Sequence, residues 1–137
     1  MLEVFETIGR AISDQTRIRI LKMLQPGELC VCQITAILGL APATVSKHLS
    51  LLKIAGLLSQ RKRGRWVYYR LSTQSINDYA PNVLSMIGGI LADDKTITED
   101  RHRLERVNLM SLEELCGKGR FVFVGEPFDD PRKTVSA

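Results

Sequence analysis

The stretch that decides the fold is residues 34–71, which read ITAILGLAPATVSKHLSLLKIAGLLSQRKRGRWVYYRL. Apolar residues recur at helical spacing up to Gly39, which marks the end of a first short helix. A second helix begins at Pro42, because a proline needs no hydrogen-bond partner in the first helical turn. Gly56 is its expected C-terminal stop. The spacing therefore predicts two consecutive helices, the second over residues 42–55.

After Gly56 the apolar period changes from helical to alternating. This predicts two strands, over residues 58–63 and 66–71, which are joined around Gly64 in a β-hairpin with Arg63 and Arg65 at its tip. Two helices followed by a basic hairpin are typical of a winged helix-turn-helix. We therefore expect a mainly α fold with a small β-hairpin wing.

The flanking sequence predicts further helices over residues 2–12 and 16–24, and after the wing over about 81–91 and 99–109. A short helix is expected after Ser111, and residues 121–124 are expected to form a strand. The apolar faces of the first helix and of helix 81–91 favour a dimer that forms through these N- and C-terminal helices. We expect residues 1–93 to be the DNA-binding and dimerisation domain. Residues 94–137 are then a C-terminal extension, which is helical and ends in a frayed tail beyond Glu126.

Charge is unevenly distributed along the chain. The net charge is +4, yet the 49 residues between Glu28 and Asp78 contain seven cations and no Asp or Glu. The remaining 88 residues hold 12 cations and 15 anions, a net charge of −3. Such segregation indicates a polyanionic partner, which for this fold is double-stranded DNA.

The helix over residues 42–55 has one apolar stripe and, opposite it, a face of small and polar side chains around Lys47. A face of this composition suits close approach to the major groove, while the basic hairpin suits phosphates. The residues predicted to contact DNA are Thr44, Ser46, Lys47 and Ser50 on the helix, and Arg61, Lys62, Arg63, Arg65 and Arg70 on the hairpin.

The three cysteines are Cys30, Cys32 and Cys116. An odd number does not make a disulfide framework, and the acidic residues near the N-terminus do not fit a secretory signal, so we expect a cytoplasmic protein with free or metal-binding thiols. Soft thiolates without a nearby histidine or carboxylate pair favour pyramidal As(III) or Sb(III) over tetrahedral zinc. Residues two apart on a regular helix differ by about 200° in direction, so Cys30 and Cys32 converge on one ion only where the first turn is irregular.

Four motifs occur in the order seen in arsenic-responsive repressors of the ArsR/SmtB family, which the chain resembles over roughly residues 3–92. They are SDQTRIRIL at 13–21, ELCVC at 28–32, VSKHL at 45–49 and RKRGRWVYYRL at 61–71. The resemblance implies a dimeric repressor that leaves its operator when a soft metalloid binds Cys30 and Cys32. The chain departs from the family pattern at Ala41, where a capping Ser is usual, and at Thr35, where several arsenite sensors have a third Cys. Cys116 is therefore the candidate third ligand.

Two other readings of the cysteines stay open. The same regulator would respond to Cd or Pb, or to oxidation of its thiols. A thiol–disulfide enzyme is disfavoured, because the chain has no Cys-x-x-Cys pair and no Ser/His/Asp set, and we expect no catalytic activity. No run of apolar residues is long enough to cross a membrane.

Overall fold

The computed structural model describes residues 1–73 and 77–125, and the predicted tail beyond Glu126 lies outside these residues. The described residues form seven α-helices, three strands and a 3-10 turn. Their order is α1 (Leu2–Ile12), α2 (Gln15–Met23), β1 (Leu29–Cys30), α3 (Val31–Leu38), α4 (Pro42–Ile54), β2 (Leu58–Arg63), β3 (Trp66–Leu71), α5 (Ala80–Gly88), α6 (Lys95–Val107), α7 (Leu112–Lys118) and the 3-10 turn (Gly119–Phe121).

The helix boundaries follow from local chemistry. The Asp14 carboxylate caps α2 by accepting from the backbone N–H of Arg17 at 3.0 Å. Gly39 ends α3 with φ of 66°, a left-handed conformation that glycine adopts without steric cost. Helix α4 begins at Pro42 with no side-chain cap from Ala41, as the sequence predicts.

Helices α3 and α4 make the helix-turn-helix. They bend by 114° at the turn between them, within the range of about 90–120° that is usual for this motif. The predicted inward stripe of α4 is confirmed, since Val45, Leu49 and Leu52 are fully buried. Burial of these side chains supplies much of the free energy that holds α4 in place, at about 1.5–3 kcal/mol for each.

The sheet has the order β1-β3-β2 and is antiparallel throughout. The predicted hairpin is confirmed, with Arg63 opposite Trp66 across Gly64, whose φ is 63°. Strand β1 is not predicted from the sequence, because two residues are too few to show an alternating pattern. It pairs Cys30 with Tyr68, so the cysteine motif begins inside the sheet of the wing.

The C-terminal helices pack onto the helix-turn-helix. Helix α6 lies against α2 and α3, and α7 lies against α3, so that Val107 and Leu115 are fully buried in the common core. A bidentate ion pair ties α6 to α2, with the Arg19 guanidinium 2.8 and 2.9 Å from the carboxylate oxygens of Asp100. The hydrogen bonds that Arg19 donates to the Asp100 carboxylate raise the pKa of Arg19 above its usual value.

The prediction of a strand over residues 121–124 is wrong. The chain forms the 3-10 turn and then a turn in which the N–H of Val124 donates to the carbonyl of Phe121 at 3.3 Å. Phe123 is buried, with the guanidinium groups of Arg103 and Arg106 at 5.4 and 4.8 Å from its ring centre. A strand needs a neighbouring strand for its backbone hydrogen bonds, and this segment instead lies against α3 and α6.

Candidate DNA-binding surface and cysteine site

The outer face of α4 is available for contact with a partner. Thr44, Ser46, Lys47 and Ser50 are all exposed. On the inner side, His48 Nδ1 lies 3.2 Å from Arg17 Nη1, and the Nε of Arg17 donates to the carbonyl of Ala11 at 2.8 Å. These bonds connect α4 to the first two helices. They orient the exposed face of α4 on a rigid support.

The basic residues of the wing fall into two groups. Lys62, Arg63 and Arg70 are exposed and form no ion pair at contact distance within the described part of the chain, although the charges of Arg63 and Arg70 help to lower the pKa of Glu28. Arg61 is instead paired with Glu28, because its Nε and Nη2 donate to the two carboxylate oxygens at 2.6 and 2.5 Å. These hydrogen bonds hold the pKa of the Glu28 carboxyl below its usual value.

The wing tip contacts the C-terminal extension. Arg65 Nη2 lies 3.2 Å from Glu113 Oε1 on α7, and its guanidinium lies 4.4 Å from the centre of the Trp66 ring. Both members of the ion pair are exposed, with 69% and 67% of their side-chain surface accessible, so its contribution to stability is below about 1 kcal/mol. Its consequence is local, because it places a carboxylate beside a residue predicted to bind phosphate.

Glu28 and Glu113 are residues that the sequence analysis missed. They lie 33 and 48 positions from their arginine partners, so no helical or strand spacing indicates the pairs. The only signal is that Glu28 is the first residue of the ELCVC motif and the last anion before the basic segment. The structure thus neutralises two of the predicted DNA contacts, Arg61 and Arg65, within the chain.

Cys32 and Cys116 are joined by a disulfide across a sequence separation of 84 residues. Cys32 lies in the first turn of α3 and is half-buried, while Cys116 lies on α7 and is exposed. Their Cα atoms are 5.2 Å apart. The C-terminal extension therefore folds back onto the cysteine motif, although the role of these thiols as metalloid ligands stays a prediction.

Cys30 lies in a different environment. It is fully buried in β1, and its backbone N–H donates to Gln33 Oε1 at 2.8 Å. Thr35 stands where several arsenite sensors have a third Cys, and its buried hydroxyl donates to the carbonyl of Val31 at 2.8 Å. Within residues 1–73 and 77–125, no three His, Cys, Asp or Glu side chains are grouped to hold a metal ion. The structure brings Cys32 and Cys116 together but leaves Cys30 apart.

An apolar surface lies on the side of the molecule formed by α1 and α5. Phe5 of α1 is 55% exposed, and its ring packs edge-on against Tyr79 at the start of α5, with centroids 5.4 Å apart. Leu2, Met86 and Ile90 are also exposed. Large exposed apolar side chains on these two segments indicate an interaction surface.

No single helix in the described part of the chain has the length and apolar composition needed to span a membrane. Among the helices of residues 1–73 and 77–125, α3 and α4 meet this criterion only as a pair, and they are bent by 114° at the turn between them.

The family model described as "Bacterial regulatory protein, arsR family" matches residues 14–60, from α2 into β2. The chain is 33% identical over 78 residues to the arsenical resistance operon repressor of Bacillus subtilis. This alignment covers 56% of the chain and 74% of the relative. The chain belongs to the ArsR family. This is a family of DNA-binding regulators and not a class of enzymes. The matched residues 14–60 include Cys30 and Cys32 and do not include Cys116.

Two further relatives of this ArsR-family chain are regulators of arsenic resistance. It is 46% identical over 65 residues to arsenic resistance transcriptional regulator ArsR1 of Pseudomonas putida, and 45% identical over 64 residues to the arsenical resistance operon repressor of Escherichia coli. These alignments cover 47% and 46% of the chain. The chain spans about half the length of these curated relatives, 51% and 55%.

Solved structures support the same fold for this ArsR-family chain. HlyU from Vibrio cholerae is similar with a TM-score of 0.54 and 27% identity, over 62% of this chain and 88% of that one. The homodimeric winged helix-turn-helix DNA-binding domain of Mb0332 from Mycobacterium bovis is similar with a TM-score of 0.54 and 28% identity. The alignment covers 63% of this chain and 76% of that domain.

Proposed function

We propose that the chain is a transcriptional repressor that binds operator DNA as a homodimer and releases it when As(III) or Sb(III) binds its cysteine thiolates. The observation that carries this proposal is the direct connection between the cysteine motif and the wing. Cys30 pairs with Tyr68 of β3, and Glu28 binds Arg61 of β2. A ligand that displaces residues 28–32 therefore also displaces the wing strands.

In the proposed complex, α4 lies in the major groove and the wing lies along the backbone. The exposed face of α4 supplies Thr44, Ser46, Lys47 and Ser50 for contact with bases. The wing supplies Lys62, Arg63 and Arg70 for phosphates, with Arg61 and Arg65 available once their carboxylate partners release them. Operator binding would place the protein in the cytoplasm.

The apolar surface of α1 and α5 is the proposed dimer interface. Phe5, Met86 and Ile90 would become buried against the same residues of a second chain, because a two-fold interface uses one patch twice. The homodimeric state of the Mb0332 domain supports a homodimer. Residues 1–93 would then bind DNA and dimerise, while the extension over residues 94–137 supplies Cys116.

The proposed inducer is a trivalent metalloid bound by thiolates drawn from Cys30, Cys32 and Cys116. Thiolates favour soft ions, and the relatives named for arsenic resistance support this class. No catalytic cofactor is needed for this function. Cd and Pb are the alternative thiophilic inducers.

The disulfide between Cys32 and Cys116 favours a second candidate signal, oxidation of the thiols. Hydrogen peroxide would take two electrons from the two thiols, so that one S–S bond forms as the O–O bond breaks, and the two thiol protons leave with the peroxide oxygens as two water molecules. This reaction involves Cys32 and Cys116 and leaves Cys30 reduced.

The two signals are separated by one experiment on the reduced protein bound to a labelled duplex from upstream of its own gene. As(III), Sb(III), Cd, Zn and hydrogen peroxide are added separately, and release is measured by fluorescence anisotropy. We expect release by As(III) and Sb(III) at concentrations at which Zn has no effect. Release by peroxide alone would support the oxidation sensor, and failure to bind any upstream duplex would contradict the repressor.

A further inference from the structure

We propose that α7 competes with DNA for the wing, because its Glu113 carboxylate pairs with Arg65 at the wing tip and opposes a DNA phosphate there. The inference rests on the proposed binding of operator DNA. It goes further by assigning an autoinhibitory role to the C-terminal extension and by naming the two groups that carry it.

The way in which α7 packs on the core turns Glu113 towards the wing. Leu115 is fully buried in the common core. Residues two apart on a helix point in directions about 200° apart, so Glu113 faces away from the core. Its side chain is 67% exposed, and its Oε1 lies 3.2 Å from Nη2 of Arg65. Burial of the leucine therefore determines where this carboxylate is presented.

Contacts on both sides of Glu113 hold α7 in this position. The Ser111 hydroxyl caps the helix by accepting from the backbone N–H of Glu114 at 3.2 Å. Beyond the helix, Phe123 is buried in the common core. These contacts involve no thiol. They therefore present Glu113 to the wing in the reduced protein, which is the form proposed to bind the operator.

The guanidinium of Arg65 lies between an aromatic ring and this carboxylate. Its distance to the centre of the Trp66 ring is 4.4 Å, and its Nη2 donates to Glu113. The ring attracts the cation without neutralising its charge, whereas the carboxylate neutralises it. The free protein therefore holds Arg65 in an ordered position with its charge already compensated.

DNA binding brings a phosphate close to the same carboxylate. A phosphate that pairs with Arg65 either replaces Glu113 or lies beside it, and two neighbouring negative charges repel each other. In both cases the complex is weaker than it would be without Glu113. An exposed interaction of this kind changes an equilibrium by about threefold, and by about tenfold in a dimer that has two wings.

The next residue on α7 provides a matched control. Glu114 is also exposed, but its carboxylate Oε1 lies 3.3 Å from Nζ of Lys118 on the same helix. Replacing either glutamate with glutamine changes the net charge of the chain by the same amount. The two variants therefore separate the contact with the wing from a general effect of charge.

The test compares wild type, Glu113→Gln and Glu114→Gln as reduced full-length chains. Binding to a labelled duplex from upstream of the gene, and to a scrambled duplex, is measured by fluorescence anisotropy at low salt. We expect Glu113→Gln to bind the upstream duplex about tenfold more tightly than the wild type, and Glu114→Gln to stay within about twofold of it. In an Arg65→Gln background, the Glu113→Gln change should have less than about a twofold effect, because the paired cation is gone.

A second measurement tests the contact without DNA. Trp66 is the single tryptophan of the chain, and it lies against the Arg65 guanidinium, so its fluorescence reports on the wing tip. Glu113→Gln should change the Trp66 emission of the free protein, and Glu114→Gln should leave it unchanged. Both glutamates are exposed, so both variants are expected to fold, which circular dichroism verifies.

The outcomes distinguish the inference from the proposed function. If Glu113→Gln binds the upstream duplex as the wild type does, or more weakly, α7 is not a competitor and the proposed repressor stands. An equal gain from Glu114→Gln assigns the effect to net charge and overturns the inference. Unchanged Trp66 emission in Glu113→Gln overturns it as well. If the wild type binds neither duplex, the proposed function and the inference both fail.

Discussion

Replacing Glu28 with Gln is expected to steepen the salt dependence of operator binding. In the free protein Glu28 accepts two short hydrogen bonds from Arg61, so the charge of this wing residue is already neutralised. The Gln amide keeps the shape of the side chain and removes its negative charge. Arg61 is then available to a DNA phosphate, and its binding releases a further condensed cation.

The magnitude follows from the number of phosphates contacted. If the wild-type dimer neutralises about 6 phosphates, the slope of log K against log salt is about −5. One additional contact in each chain of the variant makes this slope more negative by about 1.8. Between about 50 and about 200 mM salt, the variant should therefore lose about tenfold more affinity than the wild type does.

The assay is fluorescence anisotropy of a labelled operator duplex at a series of salt concentrations. The matched control is Glu28→Gln combined with Arg61→Gln, whose slope should return to that of the wild type. The reasoning is refuted if Glu28→Gln leaves the slope unchanged, because Arg61 then contacts no phosphate. It is equally refuted if the double variant keeps the steeper slope.

Three further predictions concern Lys47 on α4, the ion pair between Arg19 and Asp100, and the loss of stability at low pH. Lys47→Ala should weaken operator binding about tenfold with metalloid affinity unchanged, whereas the exposed Lys95→Ala on α6 should change neither. Asp100→Ala removes the ion-pair partner of Arg19, whose side-chain surface is only 21% exposed. Urea denaturation should therefore show a free energy of unfolding that is lower by about 2 kcal/mol. Arginine pairing holds the pKa of Glu28 below its ordinary 4.5, so this pair stabilises the fold above that pH and the stabilisation is lost as pH falls through the lowered value. The difference in unfolding free energy between wild type and Glu28→Gln, from urea curves at several pH values, should therefore disappear in strong acid.

Much of the fold is predictable because helices and hairpins depend on the spacing of residues that lie close together in the sequence. The two predicted wing strands coincide with β2 and β3, and the first helix coincides with α1. Asp14 and Ser111 cap their helices through bonds to residues three positions on, a distance that a sequence displays directly. The ArsR-family assignment rests on motifs of the same local kind.

The sequence by itself therefore determined the helix-turn-helix, the basic wing and the presence of three cysteines. Only the tertiary structure decided which charges and thiols meet. Glu28 reaches Arg61 across 33 residues, Glu113 reaches Arg65 across 48, and Cys116 reaches Cys32 across 84. The first contact depends on the order of strands in the sheet, and the other two depend on how α7 packs against α3. A local periodicity contains no information about either arrangement. The same packing turned residues 121–124 from an expected strand into a turn that buries Phe123, because the helices beside it offer no backbone partners.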